Sequence, residues 1–277
     1  MSKIIGLPDW LNTPPGAYML AWERVQFELA VSDVFGYHAL QLGLPELDAL
    51  QANRMPHKWL ALSALSGQID ASELPLGLPG RTLPDRVGSC RAALFADSAA
   101  LPFAESSLDM VTMPHTLELC GDPHSALREV ARVLVPEGRV VISGFNPASL
   151  WGLRRKRDHL YQRFGRDALF LPSTGEYIGY WRLRDWLRLL DFEVESAHFG
   201  CYRPALGNQK WLDRFDWMDR AGKRWWPIFG AVYFLGAVKH VRGMRLLEPG
   251  WKTQNFSAVA PAIATSKDQL MGRASRP

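Results

Sequence analysis

Three segments of the chain end in polar side chains that could hold or act on a ligand. Asp97 follows an apolar run at 92–96, His115 comes just after one at 108–113, and Asn146 comes just after one at 139–143. Such runs are typical of buried strands, and parallel strands end along one edge of a sheet. A carboxylate just past a buried strand can accept a hydrogen bond from the exocyclic amine of a purine. We therefore interpret residues 92–147 as the ligand-facing half of an open parallel sheet.

Each of these side chains also has a simpler structural interpretation. Asp97 could cap the loop that follows it, and His115 could be bonded to a backbone carbonyl instead of serving near the reacting atoms or as a general base. Glu118 is expected to be a surface or helix-start acid, and Cys120 a buried thiol. Three cysteines without C-x-x-C, and no H-E-x-x-H, predict no metal site.

The elements that position these groups follow from periodicity and from start and stop signals. Asp122 as N-cap and Pro123 at the first helical position predict a helix that stops at Pro136 and Gly138. Because this helix links two strands, those strands are expected to pair in parallel through a right-handed crossover. Further strands are predicted at 37–42, 57–62, 192–199 and 229–238, and further helices at about 149–168 and 181–190.

A helix is also predicted near the N-terminus. Tyr18, Trp22, Val25 and Leu29 recur at three- and four-residue steps, which favours a helix over about 17–33. The connection between the strands at 37–42 and 57–62 has room for two helical turns at most. Residues 66–90 hold four glycines and three prolines, which predicts a loop with little regular structure.

Composition favours one large globular domain with additions. A chain of 277 residues with 47% hydrophobic residues can bury a sizeable core. The net charge of +4 does not indicate nucleic-acid binding by itself. The N-terminus lacks the apolar core of a signal peptide, and no uninterrupted run of about 18 apolar residues is present. We expect a cytoplasmic protein with reduced thiols and no transmembrane segment.

The C-terminal third holds two features with more than one interpretation. The basic run at 154–157 is expected to be a solvated helix face, with an anionic substrate, an acidic lipid head group or RNA as alternatives. Four tryptophans are expected to form the core of a C-terminal cap, with a hydrophobic substrate pocket or contact with a membrane interface as alternatives. These are Trp211, Trp217, Trp225 and Trp226.

A known family is identified by two stretches, D-S-A-A-L-P-F-A-E-S-S-L-D-M-V and D-P-H-S-A-L-R-E-V-A-R-V-L-V-P-E-G-R-V-V-I-S. They resemble the class I S-adenosylmethionine-dependent methyltransferases, in their type 11-like form, over about residues 35–147. The likeness is greatest to the branch acting on small molecules, quinones and lipids, and within it to uncharacterised bacterial proteins. The resemblance implies a Rossmann-like α/β fold with a seven-stranded, mostly parallel sheet and a reversed last hairpin, and S-adenosyl-L-methionine as cofactor.

The resemblance also implies roles for residues at the strand ends. Asp97 and Ser98 would contact the adenine, while Met113 and His115 would line the sulfonium end of the cofactor, with His115 as the candidate catalytic residue. The residues implied on the substrate side are Asn146 and Tyr18.

The glycine motif of the family is altered in this chain. Gln41 stands at the position of the acid, Gly43 is kept, and Pro45 and Leu47 replace the next two glycines. Glycine lets a backbone approach a cofactor closely, and proline removes an N–H donor. At the end of the second strand, where the family places an acid on the ribose, stands Ser63. Gln41, Gly43 and Ser63 are therefore expected to build this half of the cofactor site differently.

The predicted organisation has an N-terminal lead-in and helix at 1–34, a cofactor-binding core at 35–147, a helical, Trp-rich substrate cap with sheet completion at 148–251, and a disordered tail at 252–277. The predicted function is methyl transfer to a small or lipophilic substrate, with peripheral membrane contact as one option. The competing hypothesis is a catalytically silent methyltransferase-like module that binds through its Trp-rich, basic C-terminal third. In that case Leu44, Pro45 and Leu47 would fill the pocket beyond Gly43. An RNA-modifying enzyme is a third hypothesis.

Overall fold

The computed structural model describes residues 6–62, 92–162, 170–172 and 175–240. All of them lie in the first of two compact units, Met1–Arg242, and the second unit, Gly243–Pro277, lies outside them. The predicted loop at 66–90 and the predicted tail at 252–277 are therefore outside the described residues. Ser63 and the end of the predicted helix at 149–168 are outside them as well.

A seven-stranded sheet forms the centre of the described part of the chain, in the order β3-β2-β1-β4-β5-β7-β6. Neighbouring strands from β3 to β5 pair in parallel, whereas β7 is antiparallel to both β5 and β6. This confirms the predicted Rossmann-like, mostly parallel α/β sheet with a reversed last hairpin. The strands are β1 (His38–Leu42), β2 (His57–Leu62), β3 (Ala92–Phe95), β4 (Leu108–Pro114), β5 (Leu134–Phe145), β6 (Phe192–Gly200) and β7 (Val232–Lys239).

Helices cover the faces of the sheet and extend its C-terminal part. Leu127 and Val130 of one helix and Leu183 and Leu187 of another are fully buried in the core cluster on one face. The helices are α1 (Leu7–Leu11), α2 (Pro14–Val31), α3 (Thr116–Leu119), α4 (Pro123–Val133), α5 (Leu150–Gln162), α6 (Tyr180–Leu189), α7 (Gln209–Arg214) and α8 (Trp217–Trp225), with a 3₁₀ helix at Pro227–Phe229.

Local signals explain the start of α4 better than its end. The Asp122 carboxylate accepts hydrogen bonds from the backbone N–H groups of His124 and Ser125, as expected of an N-cap. The helix ends at Val133, and β5 begins at once with Leu134, which pairs with Leu108 of β4. The predicted strand at 139–143 was therefore too short, because Leu134 already pairs with β4, and the ladder resumes at Arg139 after an irregularity.

The helix α2 begins at Pro14 after Thr13, whose hydroxyl accepts from the Gly16 N–H. The apolar repeat that predicted this helix is not its buried face, because Val25 is 50% and Leu29 is 69% exposed. A different set of residues faces the sheet, namely Met19, Leu20, Glu23, Phe27 and Val31. The prediction of the helix is confirmed; of the repeat, Tyr18 and Trp22 pack against the core cluster, whereas Val25 and Leu29 face solvent.

Two short helices, α7 and α8, and the 3₁₀ helix connect β6 to β7 in the chain. The prediction that their tryptophans form the core of a cap is wrong, because these side chains face solvent to a large extent. Trp211 is 50%, Trp217 54%, Trp225 74% and Trp226 41% exposed. Other contacts hold this region to the fold; for example, Gly222 packs directly against the Tyr202 ring. No helix of the described residues is long and apolar enough to cross a membrane.

Candidate functional site

The strand order reverses between β1 and β4, which are neighbours in the sheet although two strands separate them in the chain. Open α/β sheets bind ligands beyond the carboxyl ends of the strands at such a switch point. Here the Thr116 hydroxyl donates to the Leu42 carbonyl over 2.6 Å and so joins the ends of β4 and β1. The residues around Gly43 and His115 therefore lie where the sequence predicted a site.

Gln41 organises the loop that follows β1. Its Nε2 lies 3.2, 3.0 and 2.6 Å from the carbonyl oxygens of Gly43, Leu44 and Leu47, and its Oε1 accepts from the Ala49 N–H. A side chain facing three carbonyls must be a donor, which explains an amide where the family has an acid. Gln41 is only 1% exposed, so the structure makes it a support of the loop and not a surface for a ligand.

The Cα of Gly43 is not closely packed by other side chains among the described residues. This glycine adopts a φ of 70°, and a Cβ placed on it would meet only the Thr116 hydroxyl, at 3.5 Å, among the residues described. Leu44 and Leu47 are buried in the hydrophobic cluster that contains Trp10. Leu44 and Leu47 are therefore directed into this cluster, and no atom of Leu47 is among those nearest to a Cβ placed on Gly43.

Asp97 and Ser98 follow β3 as expected. The exposed Asp97 accepts from the backbone N–H of Ala99 over 3.1 Å, so this carboxylate closes its own turn and remains accessible to a second partner. Ser98 is buried next to Cys120. Burial raises the pKa of the Cys120 thiol to about 11, against the opposing effect of its hydrogen bond with Ser98. Cys120 was predicted to be a buried thiol, and the structure shows it only partly buried.

His115 lies at the centre of a buried ionic cluster. Its Nδ1 lies 2.8 Å from Glu118 Oε2 and its Nε2 lies 3.0 Å from Glu23 Oε1, and the three side chains are 0–3% exposed. Burial alone lowers the pKa of this imidazole, but attraction by Glu23 and then by Glu118 prevails and raises it to about 10. His115 is therefore an imidazolium at neutral pH.

This geometry disfavours a role of His115 as general base. Both ring nitrogens are engaged with carboxylates, and a doubly protonated ring has no lone pair with which to take a proton. The neighbouring Met113 is fully buried in the core, so its side chain does not line the strand-end edge either. Glu118 lies in the first turn of α3, as the helix-start interpretation predicted, but it is not a surface acid, since its second oxygen accepts from the Phe145 N–H in the interior.

Asn146 and Tyr18, predicted on the substrate side, serve as ties to the C-terminal helices. Asn146 Nδ2 lies 2.7 Å from the Ile228 carbonyl and 3.0 Å from the Gly230 carbonyl. The Tyr18 hydroxyl donates to the Asp219 carboxylate, and burial raises the pKa of this phenol. Their contacts fix the position of α8 and the 3₁₀ helix relative to the sheet.

The basic run at 154–157 is only partly a solvated face. Arg155 stacks over the Tyr177 ring at 3.6 Å and donates to the Gly175 carbonyl, while Arg154 stacks over Phe170 at 4.5 Å. Two arginines of the four basic residues are thus used in packing. A nucleic-acid footprint needs many free cations, so the RNA hypothesis loses its main support.

Glu23 is the functional residue that the sequence analysis missed. Its signal was present, because Glu23 stands four residues after Met19 and four before Phe27, on the buried side of α2. A carboxylate in that stripe indicates a buried partner. The partner itself, His115, is 92 positions away and could not be identified from spacing.

A cavity of about 660 Å³ lies away from this edge, among Tyr180, Arg188, Phe192, Glu195 and other residues. Phe192 pairs with Lys239 at the edge of the sheet where β5 begins, so the cavity is at the opposite end of the parallel strands. It does not coincide with the candidate site.

Comparisons with known proteins support the family. A model described as "Methyltransferase domain" matches residues 80–142. The uncharacterised protein YafS of Escherichia coli is 34% identical over 192 residues, which cover 69% of this chain and 67% of YafS. A demethylmenaquinone methyltransferase of Chlamydia pneumoniae is 34% identical over 40% of this chain and 43% of that protein. A malonyl-[acyl-carrier protein] O-methyltransferase of Methylovorus is 32% identical over 35% of this chain and 36% of that protein.

Solved structures agree on the fold. A S-adenosylmethionine-dependent methyltransferase of Thermotoga maritima superposes with a TM-score of 0.50 and 14% identity, over 80% of this chain and 91% of that one. The [4+2]-cyclase SpnF superposes with a TM-score of 0.50 and 15% identity, over 79% and 81%. At these identities the structures show the shared fold alone. With the matched domain model and YafS, the chain belongs to the S-adenosylmethionine-dependent methyltransferase family.

Proposed function

We propose that this protein transfers the methyl group of S-adenosylmethionine to a small or lipophilic acceptor at the carboxyl ends of β1, β3 and β4. The observation that carries the proposal is the left-handed turn at Gly43 at the switch point of the sheet, where only the Thr116 hydroxyl lies within 4 Å of an added Cβ among the described residues. A cofactor can approach the backbone closely at a glycine with this φ and no neighbouring Cβ. The altered glycine motif therefore still leaves an approach to the sheet.

The described residues fit the adenine side of the cofactor. The exposed Asp97 carboxylate follows a parallel strand and would accept from the exocyclic amine, beside Ser98. Gln41 would keep Gly43 in position without contacting the cofactor. When bound, S-adenosylmethionine supplies an electrophilic methyl group on a sulfonium sulfur.

The ionic cluster would fix the geometry of the site and bias its charge. Glu23, His115 and Glu118 connect α2 with the ends of β4 and β5. Attraction by the carboxyl groups of Glu23 and then Glu118 raises the pKa of His115, which favours a positive charge on its buried ring. Methyl transfer from a sulfonium is an in-line displacement that depends mainly on alignment, so a protonated His115 is compatible with it.

Aromatic packing near the cluster supports a lipophilic acceptor. The Phe145 ring lies 4.5 Å from the His115 ring and stacks on Tyr177 at 5.1 Å. Two of the similar proteins are named for methylation of demethylmenaquinone and of a malonyl group on acyl-carrier protein. An acceptor of this general kind has an apolar body, and among these two rings the partly buried Tyr177 is the one that could contact it.

Calorimetric titration of the purified full chain with S-adenosylmethionine tests the proposal. Asp97→Asn keeps an acceptor for the Ala99 N–H but offers an N–H₂ group where the second carboxylate oxygen stood. We expect about tenfold weaker binding or more, as for the loss of a hydrogen bond to a charged group. The matched control is Asp185→Asn, an exposed carboxylate on α6, which should bind like the wild type.

Absence of binding by the wild type up to millimolar concentration would refute the proposal. Equal affinity of Asp97→Asn and the wild type would refute the role of Asp97 alone. A nucleoside mass in protein purified without added cofactor would support the site before any acceptor is known.

The second candidate is the catalytically silent module. Two observations favour it. The loop at residues 43–56 connects β1 to β2 without a helix, and this loop is folded around the Gln41 side chain, whose Nε2 donates to the Leu44 carbonyl. This hypothesis predicts that the protein binds a partner surface. It also predicts that no S-adenosylhomocysteine forms when S-adenosylmethionine and candidate acceptors are supplied. Formation of that product at a rate that depends on Asp97 would exclude it.

A further inference from the structure

The segment at residues 211–229 presents large apolar side chains to solvent. Aromatic side chains bury about 150–250 Å² each, so the five exposed aromatic residues of this segment, at about half exposure, leave roughly 400–600 Å² uncovered. The largest apolar patch of a typical monomer is about 300–600 Å², and patches of this size are commonly functional. The residues, 41–74% exposed, are Trp211, Trp217, Trp225, Trp226, Ile228 and Phe229.

The exposure is not the result of a loosely held segment. Gly222 of α8 packs so closely on Tyr202 that a Cβ would lie 2.3 Å from the ring. Asp219 accepts from Arg203 Nε over 2.9 Å and from the Tyr18 hydroxyl, and the Tyr202 hydroxyl lies 2.7 Å from the Pro227 carbonyl. One side of α8 is thus anchored to the fold while its tryptophans point away from it.

Positive charge accompanies these aromatic residues. Trp217, Arg220 and Arg224 follow at three- and four-residue steps and so share one face of α8. Two acids of the segment, Asp216 and Asp219, are turned towards Arg203. The exposed cations of the segment are Lys210, Arg214, Arg220, Lys223 and Arg224.

We propose that the surface formed by α7, α8 and the 3₁₀ helix docks on an anionic phospholipid bilayer. Tryptophan favours the boundary between head groups and acyl chains, where its ring is apolar and its N–H is solvated. Lys and Arg near the surface are attracted by anionic head groups, and helices that combine the two lie in the plane of the interface. The charge of the segment selects an anionic surface over a zwitterionic one.

The docking surface is joined directly to the candidate site. Asn146, just after β5, holds the carbonyls of Ile228 and Gly230. If the proposed methyl transfer holds, this arrangement places the acceptor side of the site next to the bilayer, from which a lipophilic acceptor could enter. The docking itself does not depend on the proposed function.

Co-sedimentation of the full chain with vesicles tests the docking. Vesicles of phosphatidylcholine alone are compared with vesicles that also contain phosphatidylglycerol, without S-adenosylmethionine. We expect binding only to the anionic vesicles, weakened by salt but not abolished by it because the tryptophans insert. The apolar variant is Trp217→Ser with Trp225→Ser, and the charge variant is Arg220→Glu with Arg224→Glu.

Each double variant should lose about tenfold or more in partition coefficient, since each basic residue at an anionic surface and each inserted aromatic ring contributes measurably. The matched controls lie on α6, where Trp181 is 57% exposed and the Arg182 side chain 64% exposed. Trp181→Ser and Arg182→Glu should bind within about twofold of the wild type. Urea unfolding midpoints of all variants verify that they are folded.

Equal binding to both kinds of vesicle, no binding at all, or equal losses in the α6 controls would overturn the proposal. Sedimentation velocity identifies the other occupant of this surface. If the wild type is a dimer that Trp217→Ser with Trp225→Ser dissociates, and vesicles are not bound, the surface joins two copies of the chain and the lipid proposal is wrong. Failure of vesicle binding with intact cofactor binding would leave the proposed function standing.

Discussion

The buried ionic cluster gives the sharpest prediction about this protein. His115→Gln removes the cation between Glu23 and Glu118, whereas Glu23→Gln removes one of the two anions. Both substitutions keep a polar side chain of similar size. The first substitution leaves the carboxyl groups of Glu23 and Glu118 facing a neutral amide, whereas the second keeps the contact between His115 and Glu118.

The expected losses in the free energy of unfolding therefore differ. Removing one partner of a buried ion pair costs about 3–5 kcal/mol, and we expect His115→Gln to lose that much. Glu23→Gln keeps an amide oxygen to accept from His115 Nε2, and the second oxygen of Glu23 has no hydrogen-bond partner among the described residues. Its loss should be about 1–2 kcal/mol.

The pH dependence follows from the raised pKa of His115. The pKa is about 10 in the folded protein and 6.5 for an ordinary histidine. The stabilisation by the imidazolium is thus fully present below about pH 6.5 and is lost as pH rises towards 10. The difference between the wild type and His115→Gln should shrink in this range, by at most about 1.4 kcal/mol per pH unit.

Urea unfolding followed by far-UV circular dichroism measures both effects. The midpoint should fall more for His115→Gln than for Glu23→Gln with an unchanged slope, since the surface exposed on unfolding is the same. Equal losses for the two variants would refute the charge argument. A difference between wild type and His115→Gln that stays constant from about pH 7 to pH 9 would refute the protonation of His115.

Other substitutions test the supports of the site by the same unfolding measurement. Gln41→Glu restores the family acid, but this carboxylate would face three carbonyls. The free energy of unfolding should fall by about 2–3 kcal/mol and recover in part at low pH, where a protonated acid can donate. Full stability at neutral pH would contradict the geometry. Gly222→Val drives a side chain into Tyr202 and should destabilise by about 1–3 kcal/mol; a neutral effect would mean that α8 is not anchored there. Asn146→Ala leaves the carbonyls of Ile228 and Gly230 unpaired and should cost about 1–3 kcal/mol; protection of the Ile228 region from hydrogen exchange should fall with it, and unchanged protection would argue against the tie.

Local patterns in the sequence were sufficient for most of the fold. The apolar runs predicted the strands, and Asp122 with Pro123 predicted the start of α4, because N-caps and proline act over a few residues. Boundaries that depend on partners were less accurate. The strand β5 begins at Leu134 since pairing with β4, and not its own composition, decides how far it extends.

The candidate site was only partly predictable. Asp97 and Gly43 lie where their sequence positions placed them, because strand ends are fixed by the order of elements. The role of His115 could not be predicted, since its charge state depends on Glu23 from a distant helix. The exposure of Trp217 and Trp225 was also missed, because composition does not indicate which side of a short helix is anchored.

The sequence by itself determined the order of the seven strands along the chain, the helices α2, α4, α5 and α6, the family and the position of the strand-end residues, all of which follow from periodicity and short motifs, whereas it did not predict α7 and α8. Only the tertiary structure decided that His115 is a buried imidazolium, that Gln41 is a loop support and that the tryptophans of α8 face solvent. The physical reason is that protonation, hydrogen-bond partners and burial depend on groups brought together through space, and no local pattern in the chain specifies them.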